Sequence, residues 1–137
     1  MSVTFRGGWL VVPLLAAASI GAAAAELPLI EAVKKADTTA VRAQLKRRAD
    51  VNAAEPDGST ALHWAARRND LDTAALLIRA GANVKAANRF GVTPLALAST
   101  TGSAAMIELL LKAGADPNST SAEGEPALMT AARTRIR

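Results

Sequence analysis

At 137 residues the chain is about one domain long. Half of its residues are hydrophobic but only 3% are aromatic, so its core has to be built from Leu, Ile, Val and much Ala, a composition that suits closely packed helices. With no cysteine and one histidine it has neither a disulfide framework nor the ligands of a zinc site, and a net charge of +4 is too modest an excess to mark a nucleic-acid binder.

The first stretch differs from everything after it. Arg6 precedes the apolar run Trp9-Leu10-Val11-Val12-Pro13-Leu14-Leu15, and an alanine-rich segment ends in Ala23-Ala24-Ala25 before Glu26. One positive charge, a short apolar centre and small residues at the cleavage site outline a secretory signal peptide over residues 1–25. An uncut leader holding the protein at a membrane is the alternative, because Gly7 to Ala25 carries no charge. No cysteine is present for lipid attachment, and a lone arginine is not a twin-arginine export signal. The mature chain, 26–137, would then be periplasmic or secreted, with a net charge of +3.

The remaining sequence divides into units of about 27–54, 55–87, 88–120 and an incomplete 121–137. Gly58, Gly91 and Gly124 stand 33 residues apart and set the period. In the first unit Leu29 and Ala32 align with Leu62 and Ala65 of the second, and Ala49-Asp50-Val51 with Ala82-Asn83-Val84, but Arg48 occupies the place of Gly81. A non-glycine in a left-handed position there costs about 1 kcal/mol. The second unit reads Asp57-Gly58-Ser59-Thr60-Ala61-Leu62-His63-Trp64-Ala65-Ala66, continues through Leu76-Leu77-Ile78 and closes on Gly81. The third repeats it as Gly91-Val92-Thr93-Pro94-Leu95-Ala96-Leu97-Ala98, then Ile107 to Leu111, then Gly114. Thr60 and Thr93 are suited to cap a helix, and Pro94 to its first position, where the missing N–H is not needed. Gly81 and Gly114 fit a left-handed helix end. In the fourth unit Leu128 and Ala131 keep the phase, but no second helix follows, so a longer array or a capping partner is expected.

These shared positions strongly resemble the ankyrin repeat family. The resemblance covers residues 27 to 134 and implies an all-α solenoid of antiparallel helix pairs joined by protruding hairpin-like loops. It implies a non-catalytic module that binds another protein through a concave groove and its loop tips, and works as a monomer. The alternative is that the repeats lead a larger exported enzyme whose catalytic domain lies elsewhere.

In that family the two residues at the exit of each inner helix face the groove. Here they are Lys34-Lys35, Arg67-Arg68, Thr100-Thr101 and Arg133-Thr134, a basic row interrupted in the third unit. Such a row suits an acidic partner surface. The loop tips, the family's other contact positions, bring Asp57, Ser59, Arg89, Phe90, Val92, Glu123 and Glu125, of which Phe90 is the aromatic an interface would cover. The resemblance gives His63 a bracing role between loops. Asp57 and Ser59 are close to it in sequence but lie on the turn, and the third unit has Phe90, Val92 and Ala96 at their places and at that of His63, so nothing resembles a set of nucleophile, base and orienter. The glycines recur at repeat spacing without the lysine of a nucleotide loop, and no metal or cofactor is expected. Trp64 is expected to fill space between inner helices, as Leu97 does one unit on. Asn118-Ser119-Thr120 matches a glycosylation acceptor and is expected to be inert in a bacterial-style exported chain.

Overall fold

The computed structural model describes residues 28–119 and Ala132. The segment 1–25 and, Ala132 apart, the fourth unit lie outside the described residues, and with them Glu123, Arg133, Leu128 and Ala131. Among the described residues six helices form three antiparallel pairs: α1 (Leu29–Lys34) with α2 (Thr38–Lys46), α3 (Ala61–Arg68) with α4 (Leu71–Arg79), and α5 (Pro94–Thr101) with α6 (Ala104–Lys112). Among the described residues there is no strand, only an isolated bridge between Ala54 and Thr60.

Each pair stacks on the next. The first helices form an inner row α1, α3, α5, and the second helices an outer row α2, α4, α6 that packs less closely. Leu29, Leu62 and Leu95 fill the layers between inner helices, and Ala32, Ala65 and Ala98, all inaccessible to solvent, let their backbones approach. Burial of each leucine stabilises the stack by roughly 1.5–3 kcal/mol. Leu77 and Leu110 hold the outer row, while Gln44 takes the equivalent buried place in the first unit.

The helix starts follow from side-chain caps. Thr93 Oγ1 accepts from the Ala96 N–H at 3.2 Å, as its sequence position predicts, and Pro94 opens α5. Thr60 opens α3 through a capping box with His63, and its backbone N–H and hydroxyl both turn to His63 Nδ1, at 3.0 and 2.9 Å. The outer helices carry caps that the glycine pattern does not reveal. Asp37, Asp70 and Ser103 each accept from the N–H three residues on, at 2.9, 3.1 and 3.2 Å. These oxygens satisfy donors that a helix cannot satisfy itself.

The helix ends repeat as well. Gly81 and Gly114 are left-handed at φ +96° and +100°, as expected, and Arg48 keeps the same conformation at +58° despite its Cβ. A second left-handed series, Ala36, Asn69 and Gly102, closes the inner helices. Only the last of these has the residue type that adopts the conformation without strain. Beyond each outer helix, Asp50, Asn83 and Asp116 accept from the N–H two residues on, at 3.0, 3.0 and 2.9 Å, which fixes the turn toward the next loop. Asn52 then ties the first unit to the second, donating to Gly81 O and accepting from the Asn83 N–H.

Candidate functional site

The loop before α3 folds back on itself through Glu55 N–H to Ser59 O at 2.9 Å and Gly58 N–H to Glu55 O at 2.8 Å. The loop before α5 copies it through Asn88 N–H to Val92 O and Gly91 N–H to Asn88 O. Side chains then fix each tip. Asp57 accepts the Ser59 N–H and hydroxyl at 2.9 and 3.0 Å, and Asn88 Oδ1 accepts the Phe90 and Val92 N–H groups, both at 3.0 Å. The two Ser59 donors hold the Asp57 carboxyl below its usual range.

The tips are also joined to each other. Arg89 N–H donates to Asp57 O at 2.9 Å, and Asn88 Nδ2 donates to Ser59 Oγ at 3.4 Å. Gly58 sits so close to the second loop that a Cβ there would meet Asn88 Cα at 3.1 Å, so backbone approach as well as its φ of +84° requires glycine. His63 completes the brace. With Nδ1 accepting from Thr60, Nε2–H donates to Val92 O at 2.9 Å, and the ring is 2% exposed. Burial pushes its pKa below 6.5, because the imidazolium would lose its hydration. Both nitrogens are engaged, so this histidine is a neutral strut between consecutive loops.

The structure separates the candidate contact residues into distinct roles. Ser59 is buried and bonded to Asp57 and Asn88, so it braces the tip from within. Lys34 lies between Glu31 and Glu55, bonded to both, with its ammonium 4.7 Å above the Trp64 ring. These carboxylates raise its pKa, with the bond to Glu55 the largest cause, and Lys34 in turn lowers that of Glu55. Its charge is therefore already balanced within the chain. Lys35, Arg67 and Arg68 remain exposed along the row, whereas Thr100 and Thr101 return their hydroxyls to Ala96 O and Ala98 O at 3.0 and 2.9 Å. Glu123 and Arg133 lie outside the described residues.

Trp64 does more than fill the space expected of it. It packs against the core but is only half-buried, its Nε1–H donates to Glu55 Oε2 at 2.7 Å, and the Arg67 guanidinium lies 5.6 Å from the ring centroid. Next to it the loop tips and α3 enclose a pocket of about 240 Å³ that brings Asp57, Arg67 and Phe90 together with Trp64, Val92 and Leu97. Phe90 is 62% exposed, with the Arg89 guanidinium 5.0 Å from its ring centroid. The family resemblance marks four of these six, Asp57, Arg67, Phe90 and Val92, as contact positions; Trp64 and Leu97 join them because the units stack in register.

Among the described residues no group of His, Asp and Glu is placed to hold a metal ion, and no helix is long and apolar enough to cross a membrane. The family model for ankyrin repeats in three copies matches residues 29–121. The chain is also similar to the neurogenic locus notch homolog protein 1 of Xenopus tropicalis and of Xenopus laevis, 44% identical to each over 52 residues. That match covers 38% of this chain and spans 2% of each of those proteins. With the model match covering most of the chain and three helix pairs stacked at its spacing, the chain belongs to the ankyrin-repeat family.

Proposed function

We propose that this protein is an exported, non-catalytic binding module that docks an acidic partner protein on its concave row and loop tips. Ankyrin repeats in general are protein-interaction modules. The observation that carries the finer reading is the pocket beside Phe90, where a 62% exposed aromatic is held on a loop tip by Asn88 and by a backbone bond to the preceding loop. Rigid tips lose little ordering entropy on docking, and an exposed aromatic flanked by arginine is the kind of group an interface buries. Exposed Lys35, Arg67, Arg68 and Arg89 give this side its positive charge.

A photo-crosslinking residue at position 90, compared with one at the exposed outer-helix position 71, tests the reading in the native host. Capture of a partner from position 90 but not from 71 supports docking at the loop tips. Capture from 71 alone, or from neither, removes it. Export is supported by the pattern of residues 1–25, and N-terminal sequencing of the mature chain is expected to start near Glu26.

A further inference from the structure

The concave pocket has apolar walls from Trp64, Leu97, Val92 and Phe90, with Arg67 and Asp57 also lining it. Its volume of about 240 Å³ is below that of sites that enclose a cofactor or drug-sized ligand, so one side chain is the scale of its occupant. The charges around it are unequal. Asp57 is occupied by Ser59 and lies within the field of Arg89. Arg67 lies over the Trp64 ring, and among the described residues it has no carboxylate at ion-pair distance, whereas Lys34 is paired with Glu31 and Glu55. A guanidinium seated on an aromatic face keeps its N–H edge free and oriented, which suits a planar carboxylate and gives less to a point charge. Trp64 itself is held in place from below by its bond to Glu55.

Resting on the protein-binding reading above, we propose that the pocket takes one leucine-sized apolar side chain of the partner while the carboxylate of a neighbouring Glu or Asp engages Arg67. The recognised pattern is thus an apolar residue set among acidic ones. Lys34 takes no part in it, because Glu31 and Glu55 already neutralise it. The basic row beyond, Lys35 and Arg68, adds only long-range attraction.

The test uses the full chain carrying Trp9→Phe, so that Trp64 is the sole indole, and a ten-residue peptide with a Glu-Glu-Leu-Glu-Glu core flanked by glycine and serine. Saturable change in Trp64 emission is expected. Replacing the peptide leucine by alanine, or the protein's Phe90→Ala or Arg67→Lys, is expected to weaken binding about tenfold, roughly 1.4 kcal/mol. Arg68→Gln is expected to change it less than about threefold, since that residue attracts without seating the carboxylate. Unchanged thermal melts of these surface variants establish that folding is intact. Equal binding of the leucine and alanine peptides, undiminished binding by the Arg67→Lys protein, or no saturation up to about 1 mM overturns the proposal. If position 90 still crosslinks a partner in that event, docking at the tips survives and only the pocket's specificity falls.

Discussion

Both ring nitrogens of His63 are bonded inside the protein, so its removal strands the Thr60 N–H and leaves the Val92 carbonyl with the Asn88 N–H alone. His63→Ala is expected to destabilise the fold by about 1–3 kcal/mol through the orphaned Thr60 N–H, read from urea unfolding. The same residue makes stability depend on pH. Its folded pKa lies below the unfolded value of 6.5, so the unfolded chain binds the proton more readily. Its contribution is therefore complete above about pH 6.5 and is lost as pH falls through the folded pKa. Unfolding free energies of wild type measured between about pH 7.5 and 5.5 are expected to fall more steeply than those of His63→Ala; parallel slopes would refute the assignment. Backbone conformation makes a second set of residue-scale expectations. Arg48→Gly removes a strained Cβ at φ +58° and is expected to stabilise by about 0.5–1 kcal/mol after the added unfolded-state entropy. Gly81→Ala reverses the sign by about 1 kcal/mol, although open space surrounds the position, because strain at φ +96° acts without any clash.

At the scale of the helix, the inner and outer rows start differently. Inner helices are opened by threonine and proline at the base of the loops, outer helices by Asp37, Asp70 and Ser103 immediately after a left-handed residue. These caps were readable in principle, since they recur one period apart, yet the glycine turns dominate the pattern and hide them. Asp70 also accepts from the buried Thr73 hydroxyl at 2.7 Å. Asp70→Ala is therefore expected to lose about 0.5–2 kcal/mol, and more than Asp37→Ala, whose exposed cap has no second bond of this kind. Calorimetric melting of the two variants side by side checks the order.

For the whole molecule, stacking turns local repeats into one surface. Among the described residues the helix pairs share one continuous core, with Leu62 and Leu95 filling layers between units. Under the proposed binding reading, the charges along the inner-helix row act together on an approaching partner. Arg67→Glu combined with Arg68→Glu is expected to slow association with the crosslinked partner roughly tenfold at low ionic strength, with the difference shrinking toward 0.5 M salt, about where screening shortens the field to a few ångströms. Stopped-flow association rates across salt measure it, and a salt-independent rate would remove the electrostatic part of the proposal.

The period of 33, the leucine and alanine layers and the left-handed glycines could be read from the chain, because each depends on contacts within a unit or on a fixed offset to the next, and the family resemblance added the bracing histidine. The stacked register decided the rest. It joined Lys34 to Glu55 across 21 residues and so neutralised one member of the basic row, buried Ser59 beneath its own loop, and placed Trp64 and Leu97 beside Phe90. Spacing assigns a residue to a face. Whether its charge or ring remains available to a partner depends on which neighbour the fold sets within bonding distance.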